Sequence, residues 1–241
     1  MSVAPGKQEG VLARTHEGEP GLPRGRSGLP LDEVRDAQRD RLLRAVIAAV
    51  GANGFRDVTV ADIVRRARVS RAAFYAHFTD KEDCFLAACR KGGLLMVGRV
   101  MAAVRSQPPD ATAEELLRAS IVAYLEFLVE EPLFARAFYV DMPAAGPAAV
   151  EQVEIGQHAY ARLHRAWHER ARREHPAWPA VPYEAYYALS GATTELVRAE
   201  VRHGRIRAIK QLEDTLVSLH LAVLAAKPWL TPASHTAPPP R

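Results

Sequence analysis

The chain has 241 residues, of which 48% are hydrophobic, 25% charged and only 7% aromatic. That length allows one large domain or two smaller ones, and the abundance of Ala, Leu and Arg favours an α-rich protein with a buried core over an all-β one. No apolar run approaches the ~20 residues that cross a bilayer, and the first residues carry Lys7 and Glu9 without an apolar stretch, so no secretory signal is expected and the cytoplasm is the default compartment.

The net charge is +4, and it is uneven. Residues 1–91 carry 16 basic and 12 acidic side chains, while residues 92–241 carry 16 of each. The whole excess therefore lies at the front of the chain, which suits a polyanion-binding front end on a neutral body.

In chain order, residues 1–31 are rich in Gly, Pro and Glu and cannot repay their ordering entropy, so they are expected to be a disordered arm. Arg24 and Arg26 within it either reach a DNA minor groove or are incidental charge on a solvated tail. Asp32 to Ala52 reads as the first helix, with Leu42, Leu43, Val46, Ile47 and Val50 on its apolar face. Gly54 ends it and Phe55 packs back.

Next come two short helical patterns with a break too short for a loop. Thr59 is the candidate N-cap of the first, which carries Ile63 and Ala67 inward. Ser70 caps the second, predicted from about Ser70 to His77 with Phe74 inward. At 1.5 Å per residue that second helix is roughly 12 Å long, close to the width of the DNA major groove. Its outward side chains are expected to be Arg71, Ala72, Tyr75 and His77. Between Val64 and Tyr75 there is no acidic side chain, while Arg65, Arg66, Arg68 and Arg71 are all basic, the asymmetry that docking on phosphates requires. Thr79-Asp-Lys-Glu82 reads as a capping box that opens a long helix to about Ser106.

The run Thr59-Val-Ala-Asp-Ile-Val, followed by Val69-Ser-Arg-Ala-Ala-Phe-Tyr-Ala-His-Phe-Thr-Asp-Lys-Glu82, resembles the DNA-binding domain of the TetR family of bacterial transcriptional regulators. The match covers about Leu42 to Ala88. The resemblance implies an all-α fold: an N-terminal three-helix helix-turn-helix DNA-binding domain (32–91) and a C-terminal helical ligand-binding and dimerisation domain (92–227), before a Pro-rich tail (228–241). It further implies a homodimer formed through the last two helices, a palindromic double-stranded operator, a small-molecule effector and, by family habit, repression rather than activation. It gives Lys81 a phosphate-binding role. One residue departs from the pattern: Arg68 stands in the turn where the family usually has Gly, so either the turn differs or Arg68 is strained while reaching toward phosphate.

Arg71 and Ala72 are therefore the candidates for base readout, because Arg can make a bidentate contact to guanine and Ala can touch a thymine methyl. Thr59, Arg68, Ser70, Tyr75, His77 and Lys81 are candidates for positioning on the backbone.

The body continues as helical patterns at Thr112 to Glu130, Pro132 to Val140, Ala148 to Arg173, Tyr183 to Arg202 and Ile206 to Ala226. Tyr124, Phe127, Phe138, Met142, Tyr160, Trp167, Tyr187 and Thr194 are the block of side chains that could line an apolar ligand cavity, although aromatics at helical spacing are usually plain core and that is the preferred reading of any one of them. Glu126 and Glu195 would orient a ligand only if buried. His164 and His168, one turn apart, have no third ligand and are read as an ordinary pair rather than a metal site. Cys84 and Cys89 face different sides of one helix and are read as buried small hydrophobes. No phosphate loop, nucleophile elbow or dinucleotide fingerprint is present, so neither enzymatic activity nor a cofactor is expected. The alternatives are a helical small-molecule-binding protein or enzyme, or a protein–protein adaptor, whose helix-turn-helix does not bind DNA.

Overall fold

The structure is a computed structural model and describes residues 10–18 and 30–226. Among these residues there is no strand. The order is α1 (Leu31–Asn53), α2 (Val60–Ala67), α3 (Arg71–Tyr75), α4 (Lys81–Arg105), α5 (Ala113–Glu130), α6 (Pro132–Arg136), α7 (Pro147–Glu174), α8 (Tyr183–Arg202) and α9 (Glu213–Leu224). A π-helical turn, Ala137–Asp141, and a 3-10 turn, Met142–Ala144, extend α6. The last helix is shorter than its periodicity suggests, because Ile206–Leu212 winds as 3-10 before α9 begins. No helix among the described residues is long and apolar enough to cross a membrane.

One core runs through both halves. The apolar face of α1, Leu42 to Val50, meets Ile63 and Ala67 of α2, Phe74 of α3 and Phe85 of α4. The same cluster continues into Leu125, Leu128 and Phe134 of α5 and α6 and reaches Val197 and Leu216 of α8 and α9. Cys84 and Cys89 are buried free thiols in this core. Burial pushes both well above the ordinary thiol range, so they serve as small hydrophobes.

The joint between the halves depends on two glycines. A Cβ on Gly92 of α4 would lie 2.1 Å from Cε2 of Phe134, and one on Gly51 of α1 would lie 2.5 Å from the carbonyl oxygen of Leu133. Only a bare backbone lets α6 seat this closely on both helices.

Residues 10–18 correct the expectation of a disordered arm over 1–31. The Glu131 carboxylate, at the junction of α5 and α6, accepts hydrogen bonds from the Val11 and Leu12 N–H groups at 2.8 and 2.9 Å. Gly10, at φ +69°, makes this approach possible, because a Cβ there would lie 2.1 Å from Glu131 Oε2. Arg44 Nη1 donates to the Val11 carbonyl at 3.1 Å, and Ala13 is fully buried. The segment has few apolar residues, but a buried carboxylate orders it from 120 residues away. The Arg24 and Arg26 of the arm, and the tail from 227 onward, lie outside the described residues.

Gly92→Ala should destabilise the protein by about 1–3 kcal/mol, because the Phe134 ring is fully buried and cannot swing away. Urea unfolding measures this, and an unchanged midpoint would mean that the α4–α6 contact has slack.

Candidate nucleic-acid interface and effector cavity

The helix-turn-helix is built by local caps. Thr59 and Asp62 form a reciprocal capping box at the start of α2: Asp62 N–H donates to Thr59 Oγ1 at 3.3 Å, and Thr59 N–H donates to Asp62 Oδ2 at 3.0 Å. Ser70 Oγ accepts from Ala73 N–H at 3.1 Å and starts α3. Between them Arg68 holds φ 56° and ψ 41°, and it is the only non-glycine residue with positive φ among those described. The turn thus keeps the left-handed geometry that Gly would take without cost, at about 1–2 kcal/mol of strain. The α3 helix is five residues long, shorter than its expected span to His77, with Phe74 fully buried as its anchor.

Arg71, Ala72 and Tyr75 are presented to solvent, Tyr75 at 50% exposure. The Arg71 guanidinium lies over the Tyr75 ring at 5.7 Å, with its Nη2 3.4 Å from the hydroxyl. Stacking on a neighbour one turn away holds the guanidinium along the outward face of α3. Neither Arg68 nor Arg71 has a carboxylate partner among the described residues.

Three expectations about this face need correction. His77 turns part-way inward: its Nε2 is buried without a hydrogen bond, and burial, with Arg35 and Arg39 of α1 nearby, lowers its pKa. A neutral imidazole so placed is a poor phosphate contact. Lys81 does not offer its ammonium to phosphate either. Its Nζ donates to the carbonyls of Phe55, Arg56 and Val58 at 2.9, 3.3 and 2.8 Å and lies 4.6 Å from the Phe55 ring centroid. All three ammonium hydrogens are committed, and they tie the α1–α2 loop to the start of α4. The Thr79–Glu82 capping box is also displaced by one residue: Asp80 caps α4 by accepting from Asp83 N–H at 2.9 Å, and the Thr79 N–H donates back to Asp83. The arginine run is partly engaged as well, since Arg65 pairs with Glu17 at 2.5 Å and Arg66 lies 3.8 Å from the same carboxylate.

In the body, α4, α5, α7, α8 and α9 enclose a largely apolar cavity of about 250 Å³. Of the expected lining residues Tyr124, Tyr160, Trp167 and Thr194 are there. Phe127 and Phe138 instead pack around Phe134, Met142 is fully buried core, and Tyr187 lies against His158. Glu195 is exposed and Glu126 partly so, and they pair with Arg198 and Lys210 rather than lining the cavity.

The polar wall residues Thr193, His164 and His220 were not singled out as cavity residues, although Thr193 adjoins Thr194. His164 and His168 do not converge on a metal: His164 Nε2 meets His220 Nε2 at 3.4 Å, and His168 Nδ1 meets the Tyr186 hydroxyl at 2.9 Å. Burial, and then His220, pushes the His164 pKa down to about 3, and burial lowers His220 too. At the inner wall Tyr124 and Tyr139 share a 2.7 Å hydrogen bond between their hydroxyls, while the Tyr160 and Thr193 hydroxyls are buried without partners. Arg170 stands one helical stretch away on α7, bonded to Glu174 and to the Ala111 carbonyl. Glu174, Glu114 and His175 bring their donor atoms within 4.8 Å of one another. The existing pairs, His175 with Glu114 at 3.0 Å and Glu174 with Arg170, account for that cluster.

Residues 42–88 match the family model described as bacterial regulatory proteins, tetR family. The chain is 26% identical over 125 residues to the HTH-type transcriptional activator FasR of Mycolicibacterium smegmatis, an alignment spanning 52% of this chain and 56% of that protein. The chain thus spans little more than half the length of this curated relative. Among solved structures, the fatty acid degradation regulator FadR of Bacillus halodurans superposes with a TM-score of 0.68 at 15% identity, over 76% of this chain and 94% of that one. FadR of Bacillus subtilis, in complex with stearoyl-CoA, gives 0.67 at 15% identity over 76% and 98%. A TetR-like regulator from Rhodococcus sp. RHA1 gives 0.60 at 24% identity over 83% and 100%. At these identities the likeness to the solved structures is one of fold.

Lys81→Met should cost about 2 kcal/mol of stability through the loss of charge-assisted hydrogen bonds, while leaving the salt dependence of DNA binding unchanged. Denaturant unfolding and binding across a salt series separate the two, and a slope that falls by about 1 would restore the phosphate role. The buried histidines set a pH dependence. A folded pKa near 3 at His164, against an ordinary 6.5, means that its contribution is fully present above pH 6.5 and is lost as pH falls toward 3. Each pH unit in that window costs about 1 kcal/mol for one such group, so His164→Asn should flatten the fall in melting temperature between pH 6.5 and 5.

Proposed function

We infer that the chain is a DNA-binding transcriptional regulator of the TetR family, whose model its residues 42–88 match, that it binds a palindromic operator as a homodimer and that occupancy is controlled by an apolar effector in the body. The carrying observation is the outward, uncompensated presentation of Arg71 on α3 with Tyr75 beneath it. One reading helix of five residues spans only a few base pairs, so useful affinity needs a second copy about one helical turn away. Faces of α8 and α9 that carry Gly191 and Leu219 support pairing with a second copy, because the first admits close approach and the second is apolar.

The readout roles stay with Arg71 and Ala72. Thr59, Ser70, Arg68 and Tyr75 position the domain on the backbone, Thr59 and Ser70 by fixing the two helix starts, where N–H groups favour phosphate. The order of contacts is not altered by the direction of control. Family habit favours repression, and the curated relative is named an activator. Both use the same operator contact and differ in where the site lies relative to the promoter, so the proposal is of ligand-controlled occupancy.

The cavity supports an elongated apolar effector. Tyr160 and Arg170, both lining it, are ten residues apart on α7, or about 15 Å. Apolar walls with an Arg at one end suit an acyl chain that carries an anionic group, and the FadR of Bacillus subtilis was solved with stearoyl-CoA. Trp167 lines the cavity and reports its filling. Palmitoyl-CoA should quench Trp167 fluorescence and coenzyme A alone should not. Equal responses to both would remove the acyl reading.

Selection from random duplexes should return an inverted repeat. Arg71→Ala should then weaken binding by about 1–3 kcal/mol and relax one base position in each half-site. An unchanged motif would reassign the readout.

A further inference from the structure

We propose that residues 10–17 form an autoinhibitory strap, anchored on the joint between α5 and α6, that withholds the two arginines of α2 from DNA. The inference rests on the DNA-binding reading above and extends it to regulation by the chain's own N-terminal segment.

The strap has two fastened ends. At one, Gly10, Val11 and Leu12 dock on the Glu131 carboxylate, which takes two backbone N–H groups at 2.8 and 2.9 Å. At the other, Glu17 Oε1 lies 2.5 Å from Arg65 Nη1 and its Oε2 lies 3.8 Å from Arg66 Nη1, while the His16 N–H donates to the Arg66 carbonyl at 3.3 Å. The chain between these ends includes fully buried Ala13. The segment is therefore positioned by the body and delivers a carboxylate to the DNA-binding domain.

The delivered charge has a specific competitor. In a helix-turn-helix the first helix crosses the sugar–phosphate backbone. A phosphate and a carboxylate seek the same guanidinium hydrogens, so the hydrogen that Arg65 gives to Glu17 is not available to DNA, and the carboxylate beside Arg66 offsets the charge a phosphate would meet. Docked strap and DNA-engaged α2 are thus alternatives, and by linkage each weakens the other by the same factor. An exposed ion pair is weak, so the strap tunes affinity rather than abolishing it. The anchor makes the tuning conditional. Glu131 sits between α5, which lines the cavity, and α6, which seats on Gly51 and Gly92. A body state that moves this joint loosens or tightens the strap.

The test uses the full chain, a short random-sequence duplex and fluorescence anisotropy across a salt series. Glu17→Gln should tighten binding about two- to fivefold at low salt and steepen the slope of log K against log salt by about one to two, as the freed arginines meet phosphates. Gly10→Val frees the other end without altering any helix, because its side chain collides with Glu131. It should give the same shift, and the double variant should exceed neither single one. Circular dichroism checks that each variant is folded. Unchanged affinity and slope in Glu17→Gln overturn the strap, and so does a double variant whose effect is the product of the two. Failure of the wild-type chain to bind any duplex would instead sink the DNA-binding reading itself.

Discussion

Contact between the two halves is limited by how closely α6 can approach α1 and α4. Leu133 and Phe134 rest on the bare backbones of Gly51 and Gly92, and Phe134 is fully buried between the Phe127 and Phe138 rings. Interiors packed to this density are nearly incompressible, so displacement of α6 moves its neighbours rather than being absorbed. The α1 and α4 helices also hold α2 and α3 through the shared core. The orientation of the reading helix is therefore a consequence of how α6 sits, and α6 is continuous with the wall of the cavity through Tyr139.

Charge on the DNA-binding domain is spent more internally than its count suggests. Lys81 uses its ammonium on three loop carbonyls. Arg44 and Lys91 both pair with Asp40, which their hydrogen bonds hold below the usual carboxylate range against the opposing effect of burial. Arg65 and Arg66 lie against Glu17. Within α2, α3 and the turn between them, Arg68 and Arg71 remain without a carboxylate partner among the described residues, one on the strained turn and one on the outward face of α3. With two such cations on the helix-turn-helix itself, the position of any competing carboxylate beside α2 is consequential.

What could be read from the sequence was local. Thr59 and Ser70 cap helices because their partners are three residues away, and Phe74 and Ile63 point inward because the helical period demands it. Where two cap residues stood side by side, Thr79 and Asp80, the pattern selected the wrong one, since either hydroxyl or carboxylate satisfies it. Features that depend on distant partners were not legible. Lys81 finds its carbonyls 23 to 26 residues away, and Glu131 finds its N–H groups 119 and 120 residues away. The cavity was half legible for a related reason. Aromatic residues at helical spacing mark an inward face, but which of two inward neighbours meets empty space depends on helix crossings that no local pattern encodes, so Tyr124 lines the cavity while Phe127 packs on Phe134.

The structural path from cavity to reading helix has few steps. Tyr124 and Tyr139 share a buried hydrogen bond at the cavity wall. Tyr139 lies in the π-helical turn Ala137–Asp141, a winding that persists only where surrounding packing holds it. At the end of that turn Asp141 accepts from the Phe55 N–H at 3.4 Å, and the Phe55 carbonyl accepts from Lys81 at the head of α4. A cavity occupant acts on DNA only to the extent that it distinguishes two arrangements of this chain of contacts. The tyrosine pair is where such discrimination is chemically available, since a hydroxyl–hydroxyl bond between two uncharged groups is readily exchanged for a bond to a ligand oxygen. Exchanging it would free Tyr139, and with it the π-helical turn that leads from the cavity wall to Asp141.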